Sequence, residues 1–121
     1  MKRILLFSFF FSHCGSNPTA APKAPAADIP TAPASPTWAS SIQTIFADNC
    51  VSCHGSPAKG GAPSSFRLDQ YATVDNVKGA KDMAGSCATQ IKSGRMPQGA
   101  TMGSNSKMAV QNWVDAGAPE K

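Results

Sequence analysis

Apolar residues recur at helical spacing over residues 38–49. They stand at 42, 45 and 46, and Cys50 continues the i, i+3, i+4 pattern. Ser40 or Ser41 can cap the start of this helix, because short hydroxyl side chains accept from the free amides of a first turn. The pattern therefore predicts a helix that leads directly into Cys50.

Two further helices follow from the same pattern. One covers residues 82–93 and ends at Gly94, which can adopt the left-handed conformation. The last begins near Ser104–Ser106, carries an apolar stripe that includes Trp113, and ends before Pro119. A fourth, shorter helix is predicted over residues 66–74, capped by Asp69. These patterns predict an all-α domain.

The N-terminus has the pattern of a secretory signal. Lys2 and Arg3 precede an eight-residue apolar run, residues 4–11, whereas a membrane-spanning helix needs about 20 residues. A short apolar run behind basic residues is typical of a signal peptide. We therefore predict that residues 1–14 direct export to the periplasm or cell envelope.

Cys14 stands in a context that resembles the cleavage site of bacterial lipoproteins, where a cysteine becomes the lipidated first residue. Phe11 and His13 depart from the residues that are usual at such sites. We expect a lipid anchor at Cys14 that attaches the protein to the membrane. The alternative is a secreted protein, in which cleavage within the stretch up to Ala27 discards Cys14.

Residues 15–37 are expected to form a disordered linker. Six of the ten prolines of the chain lie in the first 37 residues. Proline fixes φ and lacks an amide donor, so we expect no helix or sheet here. A semi-extended linker with polyproline II character is the remaining interpretation. The folded domain is then predicted to span residues 38–121.

Composition and charge narrow the range of functions. A domain of 84 residues is close to the lower limit for a self-sufficient hydrophobic core, and a cofactor often supplies the missing apolar contacts. Four cysteines are too few for a dense disulfide framework. The net charge of +4 includes Lys2 and Arg3, and no block of basic residues exists. We therefore expect no nucleic-acid partner.

The segment Cys50-Val51-Ser52-Cys53-His54 carries the chemistry. Its two cysteines lie about one helical turn apart, which lets both sulfurs reach the vinyl groups along one edge of a porphyrin. His54 can then present its imidazole to the iron, and the pattern is typical of c-type haem attachment. A thioredoxin-like redox pair would need a βαβ context, and a zinc site would need a fourth ligand such as Cys87.

The second axial ligand is expected to be a methionine, as is usual in cytochromes c. Met96 lies between Gly94, which can end a helix, and Pro97, which forces residue 96 into an extended conformation. A methionine held in this way is rigidly aimed. Met102, in the following loop, is the alternative, whereas Met83 and Met108 lie within predicted helices and suit core packing.

Three segments together resemble the class I, single-haem cytochromes c of bacteria: residues 50–54, 94–97 and 112–119. The resemblance covers residues 38–121. In many members of that family the methionine is followed by two prolines, whereas Gln98 takes the second position here. Met96 and Pro97 nevertheless match the family pattern.

The resemblance implies an all-α domain wrapped around one covalent haem c. In the family the last helix crosses the first, so Trp113 is expected to pack near Ile42 or Phe46. A backbone carbonyl close to Pro63 is expected to accept the second ring N–H of His54, which would fix the tautomer. Arg67 or Arg95 could pair with a haem propionate, or could be solvated instead.

The favoured function is electron transfer by a monomer that exchanges one electron with redox partner proteins. An iron bound by His54 and Met96 has no open position for a substrate, so we expect no enzymatic activity. The alternatives are a peroxidase-like haem oxidoreductase and a gas or redox sensor. Both need a sixth ligand that leaves readily.

Overall fold

The computed structural model of the chain describes residues 24–25 and 28–121. A π-helical turn precedes four α-helices, and two short strands complete the elements that are described. In chain order these are β1 (Ala24–Pro25), the π-helical turn (Trp38–Ile42), α1 (Gln43–Asn49), α2 (Val51–His54), α3 (Ala80–Lys92), β2 (Ala100–Thr101) and α4 (Ser104–Asp115). The two strands pair in parallel, with Ala24 opposite Ala100. Because the two strands have only two residues each and the other elements are helical, the all-α prediction is confirmed.

The first helical segment begins at Trp38, as the apolar pattern predicted. The residue at its N-cap position is Thr37, whereas Ser40 or Ser41 was expected there. The Thr37 hydroxyl accepts from the Ser40 amide at 3.2 Å, and the Ser40 hydroxyl accepts from the Thr37 amide at 3.0 Å. This reciprocal pair satisfies two amides that a helix start leaves free. Ser40 therefore takes part in the capping box from the third position of the helix.

The core forms where the first and last helical segments cross. Trp113 is fully buried, and its ring meets that of Phe46 edge-on with centroids 6.1 Å apart. Its indole N–H donates to the carbonyl of Pro119 at 2.9 Å, so burial leaves no unpaired donor on this side chain. The prediction that Trp113 packs near Ile42 or Phe46 is confirmed.

The prediction of a helix over residues 66–74 is wrong. The chain there forms bends, and two of its amides bond to distant partners instead of the preceding turn. The Arg67 amide donates to the Lys78 carbonyl at 2.9 Å, and the Leu68 amide donates to the His54 carbonyl at 2.8 Å. These long-range bonds attach the start of the segment to α2 and to Lys78, and local helix propensity does not prevail.

The folded part of the chain begins before Trp38. Residues 28–37 were expected to belong to a disordered linker, but they pack along α4. Pro36 is fully buried, and both the amide and the hydroxyl of Ser106 donate to Asp28 at 2.8 Å. Proline prevents a regular element here without preventing packing.

The remaining N-terminal predictions lie outside the described residues. They concern the signal peptide (residues 1–14), the lipidation site Cys14, and residues 15–23 and 26–27 of the expected linker. The strand β1 lies within that linker region and differs from the expectation that no sheet pairing occurs there. In the part of the chain that is described, no helix has the length and hydrophobicity required to traverse a bilayer.

Candidate functional site

A cavity of about 410 Å³ lies between α2, α3 and the loop after α3. Cys50, Cys53, His54 and Met96 all line it. Met102, the alternative ligand, is instead 1 % exposed and belongs to the hydrophobic core. A second hollow of about 510 Å³, between α3 and α4, contains none of these residues. The cavity beside α2 is therefore the candidate site.

The two thiols lie one turn apart, Cys50 at the N-cap position of α2 and Cys53 within the helix. The amides of Cys53 and His54 both donate to the Cys50 carbonyl, at 3.2 and 2.9 Å, and close this turn. Both thiols are free. Burial, together with the nearby Cys87 and Cys53 thiols, raises the pKa of Cys50 to about 12. Cys53 is exposed at the edge of the cavity, so the two sulfurs differ in environment.

His54 is fixed from two sides by the segment that follows α2. Its carbonyl accepts from the Leu68 amide, and its ring stacks on Phe66 with centroids 4.9 Å apart and an interplanar angle of 21°. Burial lowers the pKa of His54, which favours the neutral imidazole that a metal requires. The carbonyl expected near Pro63 does not bond to this ring, because Nδ1 is buried without a hydrogen-bond partner.

Met96 is held at the end of α3. After α3 the chain reverses at Gly94, whose φ of 72° is the left-handed conformation that favours glycine. The Gln90 carbonyl then accepts from the amides of Arg95 and Met96 at 3.0 and 3.2 Å. Met96 is half-buried and Pro97 is buried. The helix stop therefore brings Met96 back to the cavity.

One face of α3 forms a wall of the cavity. Met83, Cys87, Gln90 and Ile91 all line it. Cys87 was interpreted as a small buried core residue, but it is half-buried and borders the candidate site. Burial raises the pKa of its thiol to about 11. The spacing of these four residues, i, i+4, i+7 and i+8, was the sequence signal for a shared face.

The structure also describes the two arginines, expected either to pair with a propionate or to be solvated, and Met108, expected in the core. The Arg67 guanidinium pairs with Asp69, with Nε 2.8 Å from Oδ1, and Arg95 is exposed. Met108 is 55 % exposed and therefore does not pack in the core. Among residues 24–25 and 28–121, no three His, Cys, Asp or Glu side chains are grouped to hold a metal ion. The zinc alternative finds no ligand cluster in this part of the chain.

The residues around the cavity fit a covalently attached haem. Two free thiols, Cys50 and Cys53, lie beside a half-buried imidazole whose Nδ1 has no protein partner. The Met96 thioether lines the same apolar cavity. Thiols can form thioethers with the porphyrin, and imidazole and thioether are the usual axial donors in cytochromes c.

Comparison with known proteins gave a match to one protein family. The sequence model of one protein family, described as cytochrome c, matches residues 39–116. Neither the curated proteins nor the solved structures gave a match. The match spans well over half of the chain and includes every residue assigned to the cavity. The chain therefore belongs to the cytochrome c family, and it is a haem-binding electron carrier with one covalent haem c.

Proposed function

We propose that the protein is a one-electron carrier in which His54 and Met96 occupy the two axial positions of the iron, and Cys50 and Cys53 hold the porphyrin. The observation that supports this assignment is that His54 and Met96 line one cavity, whereas Met102 is 1 % exposed in the core. With both axial positions filled, no position remains open for a substrate.

Each residue has a separate task in this proposal. Cys50, Cys53, His54 and Met96 would hold a haem, which would supply one-electron chemistry through its ferrous and ferric forms. Cys50 and Cys53 fix the position of the ring as thioethers. His54 donates a neutral imidazole, and Met96 donates a thioether, which favours the ferrous form and raises the potential. The apolar wall formed by α3 excludes water and favours the less charged form further.

The ligand assignment is tested by replacing each methionine in the haem-loaded protein. Met96→Ala should abolish the near-red absorption band of the oxidised protein, which arises from the methionine–iron bond. Met102→Ala should keep that band but lower the free energy of unfolding by about 2–5 kcal/mol, because it removes a buried core side chain. Loss of the band in Met102→Ala and its retention in Met96→Ala would reverse the assignment.

Carbon monoxide distinguishes the carrier from a peroxidase-like enzyme or a gas sensor. Carbon monoxide binds ferrous haem where a position is open or its ligand leaves readily. The wild-type ferrous protein should therefore bind it slowly, and Met96→Ala should bind it promptly. Prompt binding by the wild-type protein would favour the enzyme or sensor.

We also propose that the protein is exported to the periplasm or cell envelope and anchored through a lipid at Cys14. The basic start, the short apolar run and the cysteine that follows support this proposal. The expected protein is a monomer that exchanges electrons with redox partners. Mass spectrometry of the mature protein from its own host should find the mass of haem and of a lipidated residue 14. A mass without lipid, starting after residue 14, would indicate secretion.

A further inference from the structure

The chain before the first helix forms a strap along the start of α4. We define the strap as residues 24–25 and 28–36. Asp28 is its main contact, because Oδ1 accepts from both the amide and the hydroxyl of Ser106 at 2.8 Å, and Oδ2 accepts from the Asn105 amide at 3.4 Å. The bond to the Ser106 amide is the chief cause of a lowered Asp28 pKa. Asp28 therefore caps α4 from more than 75 residues away in the sequence.

The contact is reinforced on both sides of the carboxylate. The Asn105 side-chain amide donates to the carbonyls of Ile29 and Pro30 at 3.0 and 3.1 Å. Gly103 lies directly under Asp28, and a Cβ at this position would come within 1.9 Å of the Asp28 Cγ. The φ of Gly103 is −63°, which any residue adopts, so space and not backbone conformation requires glycine here.

This contact lies at the far end of the loop that carries Met96. The near end is fixed at the Gln90 carbonyl, which accepts from the Met96 amide. Towards the far end, Ala100 pairs with Ala24 of the strap, and Met102 is buried in the core. The loop from residue 96 to residue 103 is therefore held between α3 and the strap.

We propose that the strap is a brace for the sixth-ligand loop, and that Asp28 is a positioning residue that keeps Met96 on the iron. This rests on the proposed function, in which Met96 is the axial ligand. A loop fixed at both ends has fewer conformations in which the thioether has left the iron, so the bound form is favoured. Releasing the far end adds such conformations without touching Met96 itself.

The test measures how readily imidazole displaces the methionine in the haem-loaded, oxidised, full-length protein. Asp28→Ala should tighten imidazole binding by about three- to tenfold, the range expected from the loss of one helix cap. Asp28→Asn should restore most of the wild-type affinity, because its amide oxygen can still accept from Ser106. The matched control is Thr37→Ala, which removes the cap of the first helical segment and should lower stability without changing imidazole affinity.

A second variant breaks the same contact from the other side. Gly103→Ala places a methyl group where the Asp28 carboxylate lies, so it should displace the strap and tighten imidazole binding to a similar extent. Wild-type affinity in both Asp28→Ala and Gly103→Ala, in a protein that has the near-red band, would overturn the brace alone. If the wild-type protein lacked that band, and if Met96→Ala bound imidazole with the same affinity as the wild type, both the ligand assignment and the brace would be overturned.

Discussion

Tyr71→Phe removes one hydroxyl group that joins the segment beside His54 to the end of the chain. The hydroxyl donates to the Ala118 carbonyl at 2.8 Å, and Ala118 is 5 % exposed. The ring remains in place against Trp38, with centroids 6.0 Å apart. A hydrogen bond contributes about 0.5–1.5 kcal/mol net, and a buried acceptor left without a donor costs about 1–3 kcal/mol. We therefore expect Tyr71→Phe to lower the free energy of unfolding by about 1–2 kcal/mol.

The measurement is a denaturant titration of the haem-loaded protein, followed by circular dichroism. The slope of the unfolding free energy against denaturant concentration should stay unchanged, because the variant and the wild type expose the same surface area on unfolding. In a thermal scan each kcal/mol should lower the midpoint by about 4–8 °C for a domain of this size.

The matched control for this prediction is Val74→Ala, in the same segment. Val74 is 52 % exposed, so its truncation should change stability by less than about 0.5 kcal/mol. If Tyr71→Phe were as stable as this control, the bond to Ala118 would contribute nothing. The Tyr71 hydroxyl would then not anchor this segment.

Three further predictions concern α3 and its start. Gly79→Ala should cost about 2–3 kcal/mol in a thermal or denaturant scan, because its Cβ would lie 2.3 Å from the backbone oxygen of Tyr71. The pKa of Asp82 is lowered chiefly by the hydrogen bond from Thr73. The ionised carboxylate therefore stabilises the folded protein above the pKa that Asp82 has in the unfolded chain, and this stabilisation is lost as the pH falls through the pKa of the folded state. The difference in unfolding free energy between wild type and Asp82→Ala should therefore vanish in acid. Burial raises the pKa of Cys87 to about 11, so iodoacetamide at pH 8 should alkylate this thiol far more slowly in the folded protein than in denaturant.

Each of these three has an outcome that contradicts it. Gly85→Ala is the control for Gly79→Ala, since a Cβ at Gly85 meets nothing within 4 Å and a helix interior favours alanine. Equal effects of the two substitutions would contradict the steric argument. A constant Asp82→Ala difference down to strong acid would indicate lost packing and not lost charge. Equal alkylation rates of Cys87 in the folded and denatured protein would contradict its burial.

Short-range spacing predicted the parts of the site that depend on neighbours in sequence. The helix before Cys50 and the stop at Gly94 follow from periodicity and backbone preference, and the structure has both. The contact of Trp113 with Phe46 came from the family resemblance, because periodicity places each residue on a face but does not pair the two faces.

Partners far apart in sequence explain the predictions that differ from the structure. Residues 66–74 have apolar spacing compatible with a helix, but the amides of Leu68 and Arg67 bond to the distant carbonyls of His54 and Lys78. Asp28 caps a helix that begins 76 residues later, and no local pattern indicates such a partner. Over the described residues 28–36, proline content correctly predicts the absence of helix, but it gives no information on whether an irregular segment packs.

Helix α3 determines both the shape of the cavity and the position of the proposed ligand. Met83 and Cys87, one turn apart, form part of its wall, and the Gln90 carbonyl one turn later holds the amide of Met96. Because wall and ligand loop share one rigid element, a shift of α3 relative to His54 would change the width of the cavity and the position of Met96 together. The strap fixes the other end of the loop, so the distance between the two proposed ligands depends both on α3 and on a segment that precedes the two cysteines.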